Sequence, residues 1–215
     1  MGPTAIAKDY CSLKGEQESP WRVAASYGWL SSELRFGGTE APFYQRSVAV
    51  SLTRSLGERF TVQAGAGAVV GGGIDALGVD YQMQPGWLAR LGATWLALDG
   101  RGDWPFVAVS ASLAASGVRT TAPGRTAEPL TSVDVGLSAS VGKAFFGAVA
   151  PYLGAKVFGG PVFWNLSGAA VTGTDIHHWQ VAIGAAAALP LGLDALVEWA
   201  PLGEKSFVAQ AGWAF

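Results

Sequence analysis

The only histidines of this 215-residue chain, His177 and His178, stand side by side, with Asp175 two residues before the pair. An imidazole beside a carboxylate is the raw material of general acid–base chemistry, because it exchanges its proton near neutral pH. On an extended backbone, adjacent side chains point to opposite faces, so at most one of the two histidines works with Asp175. Further acidic partners for such a site are Glu40, Asp75, Asp80 and Glu128. None of these residues falls in a recognisable motif, and polar groups on connecting segments are ordinarily just solvated. Two histidines and scattered carboxylates give no metal-ligand spacing. The glycine runs Gly71-Gly72-Gly73 and Gly159-Gly160 lack the strand–loop–helix setting of a phosphate cradle. No metal and no cofactor is expected. Cys11 is the single cysteine, which excludes an internal disulfide, and Lys8-Asp9-Tyr10 before it does not suit lipid attachment.

A second set of charged residues is Arg90, Asp134, Lys156 and Glu198, each on an otherwise small or uncharged stretch. Two readings are open. They form a charged constriction that filters solutes, or a balanced ion-pair network that holds together the interior of a closed structure. The even split of sign favours the second, and Asp134 and Lys156 fall on neighbouring segments, as a cross-strand pair requires.

The elements that must position these residues follow from composition and period. Half of the residues are hydrophobic and only 14% are charged, against about 25% in ordinary soluble domains. The net charge of −2 offers no basic field for nucleic acid. Yet no stretch reaches the ~20 apolar residues of a membrane helix: the best, 181–193, is interrupted by Gly184, Pro190 and Gly192. The apolar residues recur instead at every second position. In 132–142, Val133, Val135, Leu137, Ala139 and Val141 alternate with Ser132, Asp134, Gly136, Ser138, Ser140 and Gly142. The same strand period runs through 21–30, 43–54, 60–70, 87–98, 105–116, 148–158, 177–189, 192–200 and 207–215.

About ten strands joined in sequence predict an all-β fold, a closed antiparallel meander barrel over 21–215. Short turns are expected at 55–59, 99–104, 143–147 and 189–192, and longer links at 71–86, 117–130 and 159–176. That rhythm suits a transmembrane barrel with short periplasmic turns, and an even strand count puts both termini on the periplasmic side. The polar face carries Gly, Ser, Ala, Thr and Gln rather than charge, which argues against a water-facing exterior. Aromatics collect towards strand ends. Trp21, Phe60, Trp104, Trp213 and Phe215 mark one membrane interface, and Trp29, Phe43, Trp87, Trp164, Trp179 and Phe207 the other. Residues 1–20 are polar and charged, without the apolar core of a signal peptide. They are expected to be a periplasmic tail or a plug in the lumen, in a protein whose leader has been removed or that is not exported.

Phe207-Val208-Ala209-Gln210-Ala211-Gly212-Trp213-Ala214-Phe215 resembles the terminal strand of bacterial outer-membrane β-barrel proteins. The chain resembles the small members of that class, of OmpA-like, OmpW-like and omptin-like size, with no motif that selects a subfamily. The resemblance implies an outer-membrane location in a Gram-negative envelope and lipid around the barrel. It also implies recognition of Phe207, Trp213 and Phe215 by the barrel assembly machinery, and envelope proteins as further partners. Omptin-like proteases and barrel lipid A deacylases place catalytic groups, histidine among them, on such barrels. The expected function is therefore a small pore or structural envelope protein. The alternatives are a surface hydrolase of lipid or peptide using His177 or His178 with Asp175, and a soluble β-barrel that binds an apolar ligand.

Overall fold

The computed structural model describes residues 20–166 and 168–215. The tail-or-plug expectation for the N-terminal segment, and Cys11 within it, thus lie outside the described residues. The strands are β1 (Trp21–Phe36), β2 (Thr39–Ser55), β3 (Phe60–Ala76), β4 (Val79–Met83), β5 (Gly86–Asp99), β6 (Phe106–Thr121), β7 (Glu128–Gly142), β8 (Val149–Gly159), β9 (Val162–Leu166), β10 (Ala169–Asp175), β11 (Trp179–Ala188), β12 (Leu193–Gly203) and β13 (Lys205–Ala214). All pairings are antiparallel, and β13 returns to β1 from Arg22↔Ala214 to Ser31↔Lys205. The ring passes through ten strands: β1, β2, β3, β5, β6, β7, β8, β11, β12 and β13.

The thirteen segments exceed the ten expected strands because three strands are broken. β4, β9 and β10 continue β5, β8 and β11 away from the termini. The first two breaks fall at Gln84-Pro85 and Gly160-Pro161, where proline removes the donor that a ladder needs. The stretches 71–86, 117–130 and 159–176, expected as long links, are therefore largely strand. At the β3–β4 turn, Leu77 (φ 55°) and Gly78 (φ 72°) both adopt the left-handed conformation that a two-residue hairpin turn requires.

Away from the termini the barrel narrows. β12 and β13 are 11 and 10 residues long, about one tilted bilayer span. β1 and β2 run to 16 and 17 residues, so they project ~20 Å further at ~3.3 Å per residue. Above the short β12–β13 hairpin, the β9–β10 hairpin leans across. β9 pairs with β7 (Leu130↔Trp164) and β10 with β1 (Leu34↔Asp175, Phe36↔Gly173). β4 pairs with β6 at Gln82↔Thr121. The result is a second closed ring of eight strands, β1, β2, β3, β4, β6, β7, β9 and β10.

The two rings have opposite polarity. In the ten-stranded section the outer face exposes Val50, Leu91, Leu113, Val135, Leu137, Leu153, Val157, Ile183 and Val197, an apolar belt far larger than a water-soluble monomer presents. In the eight-stranded ring the apolar residues turn inward. Leu34, Phe36, Ile74, Tyr81, Met83, Leu130 and Trp164 pack there as one buried cluster. The reversal is visible within β1: Trp21, Val23, Ala25, Tyr27 and Trp29 face out with Arg22, Ala24, Ser26 and Gly28 inside. Beyond them Ser31, Glu33 and Arg35 face out, with Leu34 and Phe36 inside.

Trp164 and Phe43 depart from the interface expectation for this reason. Trp164 is fully buried, with its indole N–H donating to the Thr120 hydroxyl at 3.0 Å, and its ring packs edge-on to Tyr81. Phe43 packs against the same cluster. Trp87, Trp179, Trp213 and Phe215 stand exposed on the outer face, with Trp21 and Trp29 partly covered there.

Candidate functional site: a charged chamber between two seals

The apolar cluster of the eight-stranded ring closes the lumen from above, since a ring of that size is filled by its own side chains. Nearer the termini a second layer closes it from below. Arg22, fully buried, pairs with both carboxylate oxygens of Asp194, with Nε donating to Oδ2 at 2.6 Å. Gln210 turns its carbonyl oxygen to Arg22 Nη1 at 3.0 Å. The Tyr152 hydroxyl donates to Glu198 Oε2 at 2.7 Å, and Phe106, Leu196 and Leu96 pack around Tyr152. Paired and hydrogen-bonded in this way, the buried charges are compensated.

Between the seals lies a cavity of about 210 Å³. Arg90, Lys156, Asp134, Asp175 and Glu204 line it, together with Ser26, Ser116, Ser132 and Gln45. The four lumen charges named from the sequence all point inward, but they do not form one network. Lys156 Nζ stands 3.5 Å from Asp134 Oδ1 and over the Phe158 ring. Glu198 belongs to the lower seal. Arg90 stands apart: one Nη donates to the Ser26 hydroxyl at 3.3 Å, and its Nε is buried without a partner.

Glycine makes room for these side chains. A Cβ at Gly65 would sit 2.8 Å from Arg90 Nε, and one at Gly136 would sit 2.6 Å from Lys156 Cε. Gly212 lies in the same way beneath Arg22, and Gly184 beneath Tyr152.

The acid–base candidates share no hydrogen bond among the described residues. Asp175 points inward on β10 and its Oδ1 accepts from the Ser32 hydroxyl at 2.7 Å; no hydrogen bond joins it to either histidine among the described residues. His178 turns towards Gly159, while His177 is exposed in the crossing from β10 to β11. Glu40 pairs with Arg35 at 2.9 Å on the outer surface. Asp75 and Asp80 are register partners across the β3–β4 hairpin. Glu128 is buried inside the upper ring, and Oε1 accepts from the Gly168 amide at 3.2 Å. No three-residue group of His, Cys, Asp or Glu suited to a metal ion exists among the described residues.

Asp175 and Glu204 gather at a seam. The last β1–β13 pair is Ser31↔Lys205 and the first β1–β10 pair is Leu34↔Asp175. The crossing strap is held by bonds from Ile176 N to Glu33 O (2.8 Å), from Phe158 N to His178 O (2.9 Å) and from Glu204 N to Trp179 O (3.1 Å). Burial pushes the Glu204 carboxyl up to about 7, with nearby Lys156 pulling the other way and Asp175 and Asp134 adding to the rise. Burial also raises Asp175, against the Ser32 hydrogen bond.

The sequence reading missed Arg22, Asp194, Asp175 and Glu204 as lumen charges. Arg22 and Asp194 sit on the polar phase of their own strands, so extending that phase to the strand ends would have found them. Asp175 and Glu204 lie beyond the alternating segments, and no local pattern marks them.

Among solved structures, the chain is similar to the translocator domain of the autotransporter NalP from Neisseria meningitidis, with TM-score 0.54 and 14% identity over 98% of this chain and 93% of that one. It is equally similar to the outer membrane protease OmpT from Escherichia coli, with TM-score 0.54 and 11% identity over 95% of this chain and all of the other. The fold is that of a bacterial outer-membrane β-barrel. The transport unit of the autotransporter AIDA-I from Escherichia coli also matches, with TM-score 0.50 and 9% identity over 99% of this chain and 97% of that one. No family model matches the chain, and no curated protein sequence does. No helix among the described residues is long and apolar enough to cross a membrane; this barrel crosses with strands.

Proposed function

We propose that this protein is an integral barrel of the bacterial outer membrane that works as a closed structural envelope protein rather than as a standing pore. The observation that carries this reading is the side-chain filling of the lumen at two levels, by the Trp164 cluster above and the Arg22–Asp194 layer below. The apolar exterior belt supports lipid as the surroundings and weighs against a soluble barrel. The strand-end aromatics Trp21, Trp29, Trp87, Trp179, Trp213 and Phe215 would sit at the lipid interfaces. The terminal residues Phe207, Trp213 and Phe215 would be the assembly signal, and both termini would be periplasmic. The eight-stranded ring would then stand outside the cell, presenting charged and polar side chains to water and to envelope partners. Asp175 accepts from Ser32 rather than from either histidine, which gives the hydrolase reading no support.

Planar bilayer recording on the purified barrel tests the closed state. Insertion without stepwise conductance is the expected result, and regular ohmic steps would refute it. Deleting Phe215 is expected to lower assembly into the outer membrane while leaving refolding in detergent intact.

A further inference from the structure

We propose that the outer face where β13, β1 and β2 run side by side is a docking site for the phosphate headgroup of a membrane lipid. Lys205 and Arg46 would hold the phosphate, and Trp29 and Phe207 would pack against the start of the acyl chains. This inference rests on lipid surrounding the ten-stranded section, and it does not depend on whether the lumen conducts.

Register brings the two cations together. On β1, Trp29 pairs with Phe207 of β13 and with Arg46 of β2, while Ser31 pairs with Lys205 and with Tyr44. Directly paired residues share a face of the sheet, and Trp29 and Ser31 face out. The outer surface therefore carries two neighbouring rows. The lower reads Phe207, Trp29, Arg46 and Gly71, and the upper reads Lys205, Ser31, Tyr44 and Gly73. Arg46 and Lys205 are both exposed. They stand diagonally across β1, about 12 Å apart at the backbone for strands ~4.8 Å apart and a rise of ~3.3 Å per residue. Two long side chains close that distance onto one phosphate lying over Ser31.

Small residues keep the space around these cations open. Ser31 is a short floor between them. Beside Arg46, a Cβ built on Gly71 would meet nothing within 4 Å, and the Tyr44 ring lies over Gly73, leaning towards β3 and away from Ser31. Neither Arg46 nor Lys205 forms an ion pair among the described residues. Glu33, the next outward position beyond Ser31 on β1, pairs with neither of them.

An exposed cation in water needs no partner, so the depth of this pair decides what it meets. Directly below, the exposed Tyr27 and Val48 are register partners within the apolar belt, and Trp199 of β12 stands beside Phe207. The pair thus sits where the belt ends and its aromatic row begins, the level at which lipid headgroups replace bulk water. A basic side chain there lays its stem along apolar surface and turns its charge to the headgroups, whose phosphates are the anions at that depth. A free phosphate would reach the same cations but would leave the aromatic row without a partner. A lipid satisfies both.

Native mass spectrometry of the full-length barrel, released from detergent micelles doped with dimyristoyl lipids, tests the site. Phosphatidic acid is expected to be retained about tenfold or more tightly than phosphatidylcholine, whose phosphate is screened by its own choline. Arg46→Gln and Lys205→Gln should each weaken retention of phosphatidic acid about fivefold, and the double variant should retain the two lipids alike. Glu33→Gln should strengthen it. Arg119→Gln, on the exposed face of β6, should change nothing. Glycerol phosphate, a headgroup without chains, should not compete at millimolar concentration; competition would overturn lipid as the occupant in favour of a free phosphate. Equal retention of the two lipids by the wild-type protein, or unchanged retention in the double variant, would overturn the proposal. Failure of the barrel to insert into planar bilayers would instead count against lipid as its surroundings, so the two readings fail separately.

Discussion

The ten-stranded section and the eight-stranded ring share strands, hydrogen-bond ladders and period, yet they solve opposite solvation problems. In the section, Val48, Val50 and Leu52 of β2 face outward, with Ser47, Ala49, Ser51 and Thr53 inside. In the ring, Glu40 of the same strand is exposed while Ala41 is fully buried. A strand places alternate side chains on opposite faces whatever the solvent, so the backbone does not decide which face is apolar. Lipid around the section and water around the ring account for the change of phase. The ring is thereby built like a soluble barrel, with a packed apolar core, and that core is what stops the lumen.

The largest expected effect tests the ring core. Trp164→Ala removes a fully buried indole and should cost about 3–5 kcal/mol, read as a lower denaturant midpoint for the ring; a cost below about 1 kcal/mol would mean that the ring does not rely on this core. Next comes the outer face of the section. Leu137→Arg, placing charge in mid-belt, should cost about 2–4 kcal/mol in a lipid bilayer. Thr172→Arg, on the exposed face of β10, should stay within about 0.5 kcal/mol. Equal costs for the two would erase the comparison.

Gly65→Ala tests the packing inside the section. The added methyl would meet Arg90 Nε at 2.8 Å and the Val50 carbonyl oxygen at 3.1 Å, so a loss of about 1–3 kcal/mol is expected, relieved in part when Arg90 is also shortened to Ala.

At the junction of the two regions, Glu204 has a folded-state pKa above its ordinary value. As pH rises from about 4.5 to about 7, the unfolded chain gives up that proton while the folded one retains it, so stability falls over this window. Urea unfolding of Glu204→Gln should lose that slope. The smallest effect belongs to the ring surface: separating the exposed Arg35–Glu40 pair by Arg35→Gln should change stability by no more than about 1 kcal/mol.

Much of the section was legible because lipid on one side and a packed lumen on the other impose a strict period. Val133 to Val141, and Phe207 to Phe215, state their outer faces without help from the rest of the chain. The ring was not legible as strand. Its residues keep the period, but the phase reverses after Trp29 in β1 and after Arg46 in β2, and proline at 85 and 161 interrupts the ladder. A reading that expects one apolar face throughout takes such stretches for loops. Gly65, Gly136, Gly184 and Gly212 each lie beneath a long side chain that takes the space a Cβ would need. Asp175 and Glu204 meet only because the β9–β10 hairpin leans over the shorter β12–β13 hairpin. That is a consequence of closing two rings of different strand number, and no short stretch of sequence contains it.

The central claim, that one set of strands passes from lipid into water with its polarity reversed, is tested most directly by spin labels along β2. Single cysteines at positions 40, 42, 48, 50 and 52, in a Cys11→Ser background reconstituted in lipid bilayers, would be read by power saturation with oxygen and with a water-soluble nickel chelate. High oxygen and low nickel accessibility is predicted at 48, 50 and 52, with the opposite at 40 and 42. The same accessibility ratio at all five positions would contradict the account.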